Sequence, residues 1–198
     1  MTHRVCPWWL GYWLTCPLRR YGQDPHKILA SYVREGMTVL EPGPGMGFFT
    51  LELARLVGSS GRAVAVDVQP KMIERLKRRA AKAGLLDRVD ARVAPAESMG
   101  ITDLQGSADF TLAFAVVHEF PDAGRFFAEV AAASKPRATV LLAEPSGHVK
   151  AAAFDSELQA AAAAGLRLVD HASIRHSHAA LLKKSWGASD VTVSCEQG

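Results

Sequence analysis

The chain has 198 residues, 48% hydrophobic and 22% charged, a balance that suits one well-buried globular domain and is too short for two full ones. Its net charge of +3 is too mild for the concentrated basic face that duplex binding needs, so no nucleic-acid partner is expected. Three widely spaced cysteines, Cys6, Cys16 and Cys195, argue against a disulfide framework and suit a reducing cytoplasm.

The chain opens on an aromatic stretch from Val5 to Leu18. It is too short to span a bilayer and carries no small-residue cleavage site, so neither a membrane span nor a signal peptide is expected. Trp9, Tyr12 and Trp13 would share one face of a helix, fit for an aromatic cap, a substrate pocket or weak contact with a membrane surface. Asp24 and Pro25 then form an N-cap and first-turn pair, predicting a helix to about Glu35, closed by Gly36. Residues 1–35 are read as this cap and helix within the same domain as residues 36–185, and residues 186–198 as a tail.

Strand one is predicted over Thr38 to Glu41, and the helix after it ends at Gly58. Strand two covers Ala63 to Asp67. Pro70 opens a helix to about Ala83, closed by Gly84. Strand three is about Val89 to Val93. Strand four is Phe110 to Val117, an almost unbroken apolar run of the kind found in central parallel strands. A helix over Ala123 to Ala133, a strand over Thr139 to Ala143 and a helix over Ala151 to Ala164 follow. Two late strands, Arg167 to His171 and Ala179 to Lys184, have no helix between them and should pair antiparallel. Alternation of this kind predicts an α/β fold with right-handed crossovers and a doubly wound sheet.

The most specific local signal is Glu41-Pro42-Gly43-Pro44-Gly45-Met46-Gly47. A strand runs into glycines at alternate positions and then into a helix, the layout of a nucleotide-binding first unit. Dinucleotide binding requires G-x-G-x-x-G, but the third position of that pattern is Phe48. Twenty residues beyond Gly47, at the end of strand two, stands Asp67, placed to accept hydrogen bonds from ribose hydroxyls.

Acidic-x-G-x-G-x-G, with Asp67 in register, resembles motif I of the class I S-adenosylmethionine-dependent methyltransferases. The resemblance implies a Rossmann-like, seven-stranded sheet, mostly parallel with the last strand inserted antiparallel. It implies S-adenosylmethionine as cofactor and S-adenosylhomocysteine as product. Glu41, Gly43, Pro44, Gly45 and Gly47 would form the loop at the methionine end, Asp67 would hold the ribose, and Val68 would pack on the adenine. Phe114 and Ala115, at the end of strand four, would line the same pocket. The strand-three turn usually supplies an acidic group to the adenine. Pro95 occupies that slot here, leaving Glu97 or the main chain of Ala96 and Glu97. The chain also resembles a group of small bacterial and archaeal methyltransferases through Cys6-Pro7-Trp8-Trp9, Pro17-Leu18-Arg19-Arg20 and Glu144-Pro145-Ser146-Gly147-His148-Val149.

Strand-end loops of such a sheet also place His118, Glu119 and His148 where a methyl acceptor would arrive, as candidate bases or substrate contacts. His171, His176 and His178 are read as structural. The Asn/Asp-Pro-Pro-aromatic run of amino-methylating DNA enzymes is missing after strand four, as is a nucleophilic Pro-Cys pair. The function expected is methyl transfer to a small-molecule acceptor. The alternative is a non-catalytic S-adenosylmethionine-binding protein, with a nicotinamide-dependent oxidoreductase disfavoured by the glycine spacing.

Overall fold

The structure is a computed structural model that describes residues 23–95 and 97–185. The readings placed on the aromatic segment, the Cys6-Pro7-Trp8-Trp9 and Pro17-Leu18-Arg19-Arg20 motifs, Ala96 and the tail lie outside the described residues. Asp24 caps the first helix, α1 (Pro25–Leu29), by accepting a 3.0 Å hydrogen bond from the His26 N–H. This helix stops well short of Glu35. Beyond it the Arg34 guanidinium donates to the carbonyls of Ala30, Val33 and Ser31 at 2.8, 3.1 and 3.2 Å, satisfying acceptors that continued helix would otherwise have used.

The remaining elements are β1 (Thr38–Pro42), α2 (Thr50–Leu56), β2 (Arg62–Asp67), α3 (Pro70–Lys82), β3 (Val89–Val93), β4 (Ala108–Phe114), α4 (Ala123–Ala133), β5 (Ser134–Pro145), α5 (Ala151–Ala163), β6 (Leu166–His171) and β7 (Ser177–Lys184). The strands form one sheet in the order β3-β2-β1-β4-β5-β7-β6. β1 to β5 are parallel. β7 lies antiparallel between β5 and β6, the hairpin expected from the missing helix. Among the described residues no helix is long and apolar enough to cross a membrane.

Successive strand side chains point to opposite faces, and both faces here are covered. Val39, Ala63 and Ala65 pack with Leu29, Leu53, Ile73 and Leu76 on one side. Leu40, Val64 and Val66 pack with Phe126, Phe127, Val130 and Phe154 on the other. This double burial explains why the central strands read as continuous apolar runs.

Two strand boundaries differ from expectation by three residues or more. β4 ends at Phe114 rather than Val117, because Ala115 takes φ +54°, a left-handed conformation that strand cannot continue. Val116 and Val117 are still buried, so the apolar run reports burial and not extension. β5 starts early, pairing Ser134 with Ala108 before a register shift restores Thr139 opposite Phe110. Arg137, at φ +66°, lies in the stretch of β5 left out of register.

β1 and β4 are neighbours, and the chain leaves them in opposite directions, β1 toward β2 and β4 toward β5. The crevice beyond their carboxyl ends is therefore the topological switch point, where an open α/β sheet binds its ligand.

Candidate active site

The glycine loop leaves β1 with its first N–H donated back to the sheet, Gly43 to the Val66 carbonyl at 2.9 Å. Gly43, Gly45 and Gly47 all have positive φ, +66°, +54° and +81°, but what surrounds each differs. A Cβ on Gly43 would come within 2.6 Å of Val116, and one on Gly47 within 2.3 Å of Leu76. Those two glycines let the loop close on the β4 turn and on α3. A Cβ on Gly45 would meet nothing within 4 Å among the described residues, so they leave the space beside it open at the mouth of the crevice. Pro44 is buried beside it.

Glu41 is buried, and its Oε2 accepts from the Thr50 hydroxyl at 2.5 Å. Burial pushes its carboxyl up to about 7. The Thr50 bond works against this shift and the nearby Asp67 charge adds to it. Asp67, at the end of β2, accepts from the Gln69 N–H at 2.8 Å. Burial pushes it up to about 6, while N–H groups of Gln69 and Gly45 pull it back and Glu119 raises it further. Asp67 thus stands between the glycine loop and the turn after β4. Val68 beside it is 39% exposed, an apolar surface at the crevice edge. Beyond β3, Glu97 is exposed, and the loop is anchored by the Met99 N–H donating to Glu129 at 2.8 Å.

The turn after β4 is organised by Glu144, a fully buried residue at the end of β5. Its Oε1 accepts from the N–H groups of Val116 and Val117 at 3.1 and 2.7 Å. Its Oε2 is hydrogen-bonded to Nδ1 of His118. The His118 side chain is 29% exposed. The Glu144 hydrogen bond lifts its imidazole above the ordinary value, against the opposite pull of burial, and Glu119 and Glu157 add to the lift. Glu157, from α5, is also buried, and its Oε2 has no hydrogen-bond partner among the described residues. Burial and the Glu144 charge push its carboxyl up to about 7.

Of the residues singled out from the sequence, the structure brings Glu41, Gly43, Pro44, Gly45, Asp67, Val68, Phe114, Ala115, His118 and Glu119 to the carboxyl edges of β1, β2 and β4. Gly47 turns its Cα toward Leu76, and packing is what demands glycine there. His148 is exposed on the turn before α5, its N–H donating to the Pro145 carbonyl at 2.9 Å. Its ring makes no hydrogen bond to a described residue. His178 packs its ring on Phe154, centroids 5.6 Å apart. The sequence puts Glu144 at the end of strand five but gives it no role in the site, and it does not single out Glu157. Glu144 does carry a signal, a carboxylate closing the apolar run Val140 to Ala143 where a parallel strand ends. A cavity of about 360 Å³ lies on the opposite face of the sheet from Glu144, lined by residues including Tyr32, Leu141, Asp170 and Ile174, away from these groups.

A family model described as a methyltransferase domain matches residues 33–189, and the chain belongs to that family. It is 33% identical over 76 residues to the ubiquinone/menaquinone biosynthesis C-methyltransferase UbiE of Klebsiella pneumoniae, a match covering 38% of this chain and 30% of the relative. The chain thus spans about a third of the length of that curated relative. The fold is similar to that of a SAM-dependent methyltransferase from Aquifex aeolicus, with a TM-score of 0.81 and 23% identity over 90% of this chain and 99% of the other. It is also similar to the [4+2]-cyclase SpnF, with a TM-score of 0.67 and 17% identity over 81% of this chain and 80% of the other.

Proposed function

We propose that the chain is an S-adenosylmethionine-dependent methyltransferase acting on a small-molecule acceptor. The observation that carries this reading is Asp67, a half-buried carboxylate at the carboxyl end of β2, facing a glycine loop whose central member, Gly45, has no described residue where its Cβ would stand. Gly43, Pro44 and Gly45 would hold the amino-acid end of the cofactor, Asp67 the ribose and Val68 the adenine face. Glu97 would close the adenine side, while Phe114 and Ala115 would form the floor. Glu41 braces the loop through Thr50. The charge of the site fits: Glu41, Asp67 and Glu119 interact electrostatically in pairs, and a sulfonium is a cation.

The cofactor would supply a methyl group on an already activated leaving group. What remains for the protein is alignment and exclusion of water, and holding two reactants in attack geometry can lower the barrier by roughly 7–11 kcal/mol. His118, Glu119 and His148 border the acceptor side, His118 with the strongest geometric claim. The modest net charge of +3 favours a small acceptor over nucleic acid.

Calorimetric titration with S-adenosylhomocysteine, with NADH as control, tests the reading. Micromolar binding of the former alone is expected. Absence of binding, or preference for NADH, would overturn it. A second reading, a cofactor-binding protein that transfers no methyl, draws support from SpnF, a protein of similar fold named as a cyclase, since one fold hosts many functions. Binding without turnover over a broad acceptor screen would favour it.

A further inference from the structure

His118 and Glu144 are 26 residues apart in sequence and meet only because β4 and β5 are neighbours. Glu144 spends one oxygen on the backbone of the turn and the other on the imidazole. The first pair of bonds fixes where the turn stands; the second fixes which ring nitrogen carries the proton. A carboxylate can only accept, so Nδ1 must donate, and Nε2 of the neutral ring is left as the lone-pair nitrogen. The turn also borders the cofactor crevice, with Val116 against Gly43 and Glu119 acting on Asp67. The groups that face His118 are carboxyls, Glu119 from its own turn, Glu144 from β5 and Glu157 from α5. Glu157 is more than nine-tenths buried, with one oxygen that has no partner among the described residues.

We propose that Glu144 is a positioning residue that holds His118 as a general base with Nε2 directed at the acceptor, and that the acceptor is a neutral or cationic molecule whose nucleophilic nitrogen or oxygen bears a proton. This rests on the methyltransferase reading. The acceptor's lone pair forms the bond to the methyl carbon, the carbon–sulfur bond breaks with its pair left on sulfur, and the acceptor's proton passes to Nε2 of His118. No oxidant or further reactant is needed. Three carboxyls around the base disfavour an acceptor anionic next to its nucleophile, and such a nucleophile would need no base.

The deciding experiment is nitrogen-15 NMR of the histidine rings in the full-length protein, with His118 assigned by loss of its signal in His118→Asn. The wild type should show His118 as the Nδ1–H tautomer. Glu144→Gln keeps a carbonyl for the Val116 and Val117 N–H groups and turns an NH₂ toward Nδ1, so it should switch the ring to Nε2–H and lower its titration midpoint. A merely structural Glu144 would leave the tautomer unmoved. An Nε2–H wild type, or the same tautomer in both proteins, would overturn the proposal. S-adenosylhomocysteine affinity should change less than about threefold in Glu144→Gln, as the variant alters the base and not the cofactor loop. Methyl transfer to a panel of amines and alcohols should fall by about 100-fold or more, the low end of what a general base contributes. Turnover confined to thiolates or carboxylates, or unaltered by Glu144→Gln, would also overturn it. If the wild type binds no S-adenosylhomocysteine, the methyltransferase reading fails separately, while the tautomer measurement still judges the His118–Glu144 pair.

Discussion

The Thr50 hydroxyl donates to Oε2 of Glu41 at 2.5 Å, tying the carboxyl that precedes the glycine loop to the first residue of the helix that follows it. Both side chains are buried, so the bond spans the loop from below while the crevice lies above.

Thr50→Val keeps the volume and removes the donor. The expected loss of stability is about 1–3 kcal/mol, the cost of stranding a buried acceptor. The loss should grow with pH. The folded Glu41 carboxyl, at about 7, lies above its unfolded value, so this group weakens the fold progressively as pH rises from the unfolded value through 7. Without Thr50 to stabilise the ionised form, that decline steepens. Urea unfolding at pH 6 and pH 8 checks it; an equal loss at both would show that Thr50 does not bond the carboxylate.

Gly45→Ala and Gly47→Ala should separate binding from packing. At Gly47 a Cβ would lie 2.3 Å from Leu76 with φ at +81°. Strain and overpacking together should cost about 2–4 kcal/mol. At Gly45 only the left-handed backbone is strained, since a Cβ meets nothing among the described residues, and the cost should be about 1 kcal/mol. That methyl would instead enter the crevice, and S-adenosylhomocysteine affinity should fall at least about tenfold. Thermal melting and calorimetry on the two variants decide; the opposite order would mean that Gly45 does not face the ligand.

The fold readings that held were those set by local spacing: one strand–loop–helix–strand unit carries Gly43, Gly45 and Asp67, and the gap between β6 and β7 is too short for a helix. Contacts that depend on strand order were not readable. Glu144 reaches His118 from the neighbouring strand; its place after an apolar run marks a strand end but not which strand lies beside it. The end of β4 was misjudged because burial continues through Val117 while the backbone turns at Ala115. Arg34 shortened α1 by a bond to Ala30 that helical pattern alone does not encode.

Asp67 gives the cofactor site a pH dependence. Its carboxyl stands at about 6, and ribose hydroxyls donate best to the ionised form. S-adenosylhomocysteine affinity should therefore be full at pH 8 and weaken as pH falls through 6. Asp67→Asn should flatten that profile, and Asp67→Ala should lower affinity at pH 8 about tenfold or more, since bonds to a charged group are worth ~1.5–3 kcal/mol each. Calorimetry between pH 5 and pH 8 reads both; a flat wild-type profile would remove Asp67 from the site.

Glu157 should reveal itself through stability rather than binding. Its folded carboxyl lies at about 7 against an ordinary 4.5, so the folded chain holds this proton more tightly than the unfolded one. Below pH 4.5 the group carries no penalty; between 4.5 and 7 ionisation beside Glu144 costs progressively more, and above 7 the cost is complete. Glu157→Gln removes that ionisation. It should change little at pH 5 and stabilise the fold at pH 8 by about 1–2 kcal/mol, less than the full shift implies because solvent reaches part of the side chain. For a chain of this size that is a rise of about 2–8 °C in Tm. The same substitution takes one carboxyl away from His118 and should lower the histidine's titration midpoint without changing its tautomer, because the Nδ1 bond to Glu144 remains. A Tm gain equal at both pH values would mean that Glu157 does not titrate between them, and that its cost to the fold does not come from ionisation in that window.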